Sequence, residues 1–179
     1  MGCFLFQLPP SFYYTPARLK SILSQLEHKR RNVVEFRHAS WSNPVVFTSF
    51  RDAGTIFCSC SSPNLPDQLV KTAEDIYIRF QGVRQWYRHN YSVEELAVWN
   101  ERIRTSGANG IWPYFNNDRE GNATKNARIF LRQNAGQSDI ASLSLGLSAS
   151  RRRDHRTEKL VTSENDPHSI DKIAPSARL

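Results

Sequence analysis

Three short polar side chains, Asn116-Asn117-Asp118, close the apolar run Ile111-Trp112-Pro113-Tyr114-Phe115 and precede a helix-like segment that starts near Glu120. A single helix N-cap needs only one such residue. Three at the mouth of a strand are suited to positioning a ligand or a water, at the βα junction where α/β folds place their chemistry. The competing reading makes Asp118 or Asn117 the N-cap of the following helix. A second cluster is Glu35-Phe36-Arg37-His38. Glu35 has the chemistry of a general base and, as a lesser choice, of a metal ligand. Arg37 and the more distant Arg79 can hold an anionic group, because guanidinium forks match phosphate and carboxylate. His38 can shuttle a proton or be a satisfied loop histidine. Gln7 and Gln81 end two further apolar runs and supply amide hydrogen bonds. The candidate catalytic residues are therefore Glu35, His38 and Asp118. The candidate ligand-binding residues are Gln7, Arg37, Arg79, Gln81, Asn116 and Asn117. No three-ligand pattern such as HExxH occurs, so no metal site is assigned, and nothing points to a particular cofactor.

These residues need elements to hold them. Cys3–Leu8 reads as an apolar strand stopped by Pro9-Pro10. Thr15-Pro16 reads as N-cap and first turn of a helix with Leu19, Ile22, Leu23 and Leu26 on one stripe. Asn32–Arg37 reads as a strand, and Asn43-Pro44 repeats the cap-plus-proline signal for a short helix to about Ala53. Strands follow at Thr55–Cys60 and Asp75–Phe80. Ser92-Val93-Glu94-Glu95 is a capping box ahead of Leu96, Trp99 and Ile103. Gly110–Phe115 is the last strand, and a helix to Gln133 carries Ala123, Ala127, Phe130 and Leu131. Strand and helix alternate, which implies a parallel sheet covered by helices.

The strands start apolar and end polar. With period two, Glu35 and Arg37 share one face while Val34 and Phe36 share the other. Tyr77, Arg79 and Gln81 likewise oppose Ile76, Ile78 and Phe80. One face packs helices and the other collects charged and amide side chains at strand C-termini, as in a barrel. A lone Glu35/Arg37 pair is equally compatible with a structural ion pair. Four strands that end polar in the same direction favour a site.

Composition bounds the rest. Lys plus Arg exceeds Asp plus Glu by 24 − 17 = 7, a balance compatible with phosphate-bearing partners, although the charges are scattered. Lys29-Arg30-Arg31 has a cheaper explanation as cations at a helix C-terminus. Three cysteines form no even framework, so a reduced, cytoplasmic compartment is expected. Cys58 and Cys60 read as core residues on one strand face. Gly2 lacks the Ser or Thr at position 6 that a myristoylation signal needs, and no run reaches membrane-spanning length. No Phe, Trp or Tyr occurs from Leu131 to Leu179, so 136–179 is expected to be a disordered polar tail after a domain over 1–135.

The stretches Phe6-Gln7-Leu8-Pro9-Pro10-Ser11-Phe12, Glu35-Phe36-Arg37-His38-Ala39-Ser40-Trp41 and Tyr77-Ile78-Arg79-Phe80-Gln81-Gly82 occur in that order. Tyr91-Ser92 with Glu94-Glu95-Leu96 and Trp99 follows, and then Tyr114-Phe115-Asn116-Asn117-Asp118 with Gly121, Ala123, Asn126 and Ala127. Over about residues 2–133 the chain resembles the YecE-like family, also called domain of unknown function 72. The resemblance implies a TIM-barrel-like fold and settles no activity. It also implies that the chain begins just before the fourth barrel strand and supplies about five of the eight strands. The family usually has His where this chain has Gln81, which hydrogen-bonds but does not titrate near neutrality. Two readings follow. In one, a polar pocket binds or processes a phosphate-bearing ligand, a phosphosugar or a nucleic acid. In the other, the chain is a truncated, non-catalytic half-barrel or split-gene fragment that acts through a partner chain carrying the missing strands, with Arg151-Arg152-Arg153 and Arg156 touching acidic partners. Neither reading decides whether the chain is an enzyme.

Overall fold

The computed structural model describes residues 2–27 and 29–135. The expected polar tail, 136–179, lies outside the described residues. Five strands form one sheet: β1 (Phe4–Gln7), β2 (Asn32–Glu35), β3 (Ile56–Ser61), β4 (Asp75–Phe80) and β5 (Gly110–Phe115). They pair in chain order β1-β2-β3-β4-β5, and every pair is parallel. The helices are α1 (Pro16–Gln25), α2 (Pro44–Asp52), α3 (Val93–Thr105) and α4 (122–135). The result is a curled half-barrel with helices on its outer face.

The helix starts follow from local chemistry. Thr15 accepts the Arg18 N–H and Asn43 accepts the Val46 N–H, each ahead of a proline that needs no amide partner. Ser92 and Glu95 satisfy one another's backbone N–H groups in a complete capping box. Asn43 also donates from Nδ2 to the Ser40 carbonyl, 2.8 Å away, tying α2 to the preceding turn. Asn43→Ala is expected to cost about 0.5–2 kcal/mol of stability, measured by denaturant unfolding. No measurable loss would show that α2 is held by packing alone.

β1 and β3 differ from the expected Cys3–Leu8 and Thr55–Cys60 by one residue at each end, and two further boundaries differ by more. β2 ends at Glu35, short of Arg37, and a 3₁₀ turn at Ala39–Trp41 follows, with His38 accepting the Ser40 N–H. The last helix begins at 122, after a 3₁₀ turn at Arg119–Gly121 in which Glu120 has a left-handed φ of 59°. That backbone cannot continue an α-helix.

Period two decides which side chain meets which layer. On the outer face, Val34, Phe36 and Phe57 pack with Leu19, Val46 and Phe50 of α1 and α2 around Trp41. Phe36 and Trp41 stack at 4.0 Å, and the Trp41 indole donates to the Phe12 carbonyl at 2.7 Å. Ile76, Ile78 and Phe80 pack with Leu96, Trp99 and Ile103 of α3 and Phe130 of α4. The inner face carries Val33, Ile56, Cys58, Cys60 and Tyr77 lower down, with Cys3 and Trp112 against them. The Cys58 and Cys60 sulfurs lie 3.8 Å apart, and burial pushes the Cys58 thiol well above its usual pKa, so it stays protonated. Among the described residues no helix is long and apolar enough to cross a membrane.

Candidate functional site

The register aligns the strand C-termini. Gln7 pairs with Glu35, and Cys60 with Arg79, which pairs in turn with Tyr114. Four of the five strands, β1, β2, β4 and β5, therefore deliver polar groups to one place on the inner face. Glu35 is fully buried and is the centre of the cluster. Its Oε2 accepts Arg79 Nη1 at 2.5 Å, and its Oε1 accepts Arg37 Nε at 3.3 Å and Gln81 Nε2 at 3.0 Å. The Gln7 carbonyl oxygen accepts from both guanidiniums, from Arg79 Nη1 at 2.8 Å and from Arg37 Nη2 at 3.1 Å. Asn116 fixes the orientation of Arg79 by accepting its Nε–H at 2.9 Å. Burial opposes the Arg79 charge, but the hydrogen bond and negative charge of Glu35 outweigh it and raise the pKa further.

Six sequence candidates thus meet: Gln7, Glu35, Arg37, Arg79, Gln81 and Asn116. Three do not join them. Asn117 faces the other side, donating to the His89 carbonyl and to Asn126 Oδ1, both at 2.7 Å. Neighbours on a strand point to opposite faces, so Asn116 and Asn117 are parted by one residue of parity. Asn117 instead works with Asn126, which bonds the backbone of Tyr91 and the side chain of Asn90. His38 uses Nδ1 to cap the 3₁₀ turn, with Ser40 Oγ 2.8 Å away. Asp118 is exposed at the start of the Arg119–Gly121 turn and makes no side-chain capping bond.

One contributor escapes the sequence reading. Tyr87, on the loop between β4 and α3, sets its hydroxyl 3.4 Å from Arg37 Nη2. Its φ of 62° is left-handed, a strained conformation for a non-glycine residue. Two backbone bonds hold it: its N–H donates to the Gln81 carbonyl at 2.7 Å, and its carbonyl accepts the Arg119 N–H at 3.3 Å. The loop is tethered underneath by Gly82, whose N–H donates to the Tyr91 hydroxyl. A Cβ at position 82 would run into the Gln85 carbonyl, and φ is +101° there, so glycine is required. Burial pushes the Tyr91 phenol up to about 12, leaving it protonated to donate to Ser61 Oγ at 2.8 Å. The signal in the sequence is the run Arg84-Gln85-Trp86-Tyr87-Arg88, which mixes aromatic and basic residues just after a strand.

Charge defines what the cluster can do. Two guanidiniums share one carboxylate, a formal excess of one positive charge. Among the described residues, Arg37 Nη1 and Arg79 Nη2 have no hydrogen-bond partner. No group of three or more His, Cys, Asp or Glu among the described residues is arranged to hold a metal ion.

The family model described as "Protein of unknown function DUF72" matches residues 1–146. The chain belongs to the DUF72 family. A DUF72 family protein from Thermotoga maritima is 25% identical with a TM-score of 0.65, over 74% of this chain and 57% of that one. A DUF72 family protein from Enterococcus faecalis is 18% identical with a TM-score of 0.64, over 73% of this chain and 57% of that one. A second crystal structure of the Enterococcus protein gives 21% and 0.62, over 73% and 59%. The half-barrel β1–β5 shares the TIM-barrel-like fold of these DUF72 relatives, and the chain spans 57–59% of their length. No curated protein matches the sequence.

Proposed function

We propose that the inner-face cluster at the strand C-termini binds a phosphate-bearing ligand. The observation that carries this reading is the pair of guanidiniums held around a single carboxylate, each with an Nη group left over. Phosphate accepts several hydrogen bonds from such donors, and its charge offsets the excess positive charge. Arg84 and Arg88, exposed on the β4–α3 loop that also carries Tyr87, add positive charge to that loop. Glu35 is the group available for proton transfer, but Arg79, Arg37 and Gln81 engage it, so binding is supported better than catalysis.

Arg37 is the cleaner probe, since it is the more exposed of the two arginines. Arg37→Met is expected to weaken the binding of inorganic phosphate about ten- to hundredfold, the value of a charge-assisted hydrogen bond, with a small change in melting temperature. Isothermal titration and thermal unfolding read the two effects separately. Equal phosphate affinity in the variant would remove Arg37 from the site.

A second reading is supported by β1. Phe4, Leu5 and Phe6 are all exposed, and among the described residues only β2 pairs with this strand. An apolar unpaired edge fits a chain that supplies further strands. The two readings are compatible, because β1 gives the polar cluster only Gln7 at its end, while Phe4, Leu5 and Phe6 make the exposed edge.

A further inference from the structure

The buried amide of Gln81 holds information about the ligand beyond its phosphate. Gln81 is fully buried, and its Nε2 donates to Glu35 Oε1. The amide cannot be reversed, because a carboxylate only accepts and would then face a carbonyl oxygen. Gln81 Oε1 is therefore committed to point away from Glu35, and among the described residues nothing donates to it. The residue just past the end of β3, the strand beside β4, is a second such group. Ser62 is 3% exposed, and its Oγ also lacks a partner. The β3–β4 register pairs Ser61 with Phe80, and the Gln81 N–H donates to the Ser61 carbonyl at 3.0 Å. Continued by one residue, this register sets Ser62 beside Gln81. Two neighbouring buried polar groups at strand C-termini thus lack partners within the chain, although such groups are ordinarily satisfied.

The missing partner has a definite chemistry. Gln81 Oε1 needs a donor, and Ser62 Oγ can give or take a proton. A ligand hydroxyl does both at once, donating to the amide oxygen and accepting from the serine. An ammonium could only donate, and a second phosphate oxygen would repel the amide oxygen. The place is also right: Gln81 Nε2 and Arg37 Nε converge on the same oxygen of Glu35, so one carboxylate oxygen separates the amide from the anion-binding guanidinium. We infer that the site takes a phosphorylated polyol, a sugar phosphate in the broad sense, with Ser62 and Gln81 forming a hydroxyl subsite beside the arginine pair.

This inference rests on the phosphate-binding reading, and the test separates the two. The full chain is titrated with inorganic phosphate, n-propyl phosphate and sn-glycerol 3-phosphate, the last two differing in their hydroxyls. Glycerol 3-phosphate is expected to bind about ten- to hundredfold more tightly than propyl phosphate. Ser62→Ala is expected to shrink that gap and leave propyl phosphate affinity unchanged. Its melting temperature should hold or rise, because an unsatisfied buried group has been removed. Gln81→Met gives the second arm and should also close the gap. Equal binding of the two esters overturns the hydroxyl subsite and leaves phosphate binding standing. An unchanged gap in Ser62→Ala overturns it too, whatever the melting temperature, since Ser62 then contacts no ligand hydroxyl. Binding of none of the three compounds overturns both readings.

Discussion

Glu35→Ala is expected to lower folding stability by about 3–5 kcal/mol, measured by chemical denaturation. Glu35 has no solvent exposure and receives hydrogen bonds from Arg79, Arg37 and Gln81. Without it, two guanidiniums face each other across a space lined by the uncharged acceptors of Gln7, Asn116 and Tyr87. Removing one partner of a buried pair leaves an uncompensated charge, and that accounts for the size of the effect rather than the worth of the pair itself. Against a typical net stability of about 5–15 kcal/mol the loss is a large share. Glu35→Gln keeps an acceptor and is expected to lose less. The variant also tests the site: a phosphate ion can replace the missing carboxylate, so added phosphate should recover part of the loss by binding the folded state. A loss under about 1 kcal/mol would show that the guanidiniums are solvated and do not depend on Glu35.

A polypeptide of residues 1–179, produced by itself, is expected to self-associate at micromolar concentration. At β1, Phe4, Leu5 and Phe6 are 37%, 37% and 46% exposed. The strand bears no charge, the profile of an edge that pairs with other chains. At the other edge β5 exposes Ile111 and Tyr114. Covering one such side chain is worth roughly 1.5–3 kcal/mol. Phe6→Lys should therefore weaken association by about ten- to hundredfold and repel strand addition at the same edge. Sedimentation velocity across a concentration series reads both chains. A monodisperse monomer with a sharp cooperative melt in the unmodified chain would sink the expectation. The half-barrel would then be stable with its edges open, and the reading that a partner chain completes it would lose its support.

Much of the fold was legible in the chain. Asp75–Phe80 and Gly110–Phe115 are strands with the bounds that their apolar and aromatic runs suggest. Thr15-Pro16, Asn43-Pro44 and the Ser92 capping box start helices because capping is a local interaction, complete within four residues. Period two likewise separates Phe36 and Phe80 on the helix-packed face from Glu35 and Arg79 on the inner one. The same parity parts Asn116 from Asn117, so treating them as one group set aside a rule the sequence already carried.

Other features belong to the tertiary structure. Glu35 meets Arg79 from 44 residues away, and Gln7 meets it from 72, distances at which only the parallel register decides who is adjacent. The left-handed backbone of Tyr87 is imposed by bonds to Gln81 and Arg119, against the intrinsic preference of tyrosine. The orphaned oxygens of Gln81 and Ser62 are likewise invisible in the chain, because lacking a partner is a property of every neighbour at once. Periodicity and capping depend on residues a few positions apart, and the sequence by itself determined the strands, the helix starts and the inward face. Charge sharing, strain and unmet hydrogen bonds depend on which strands lie side by side, and those only the folded half-barrel decided.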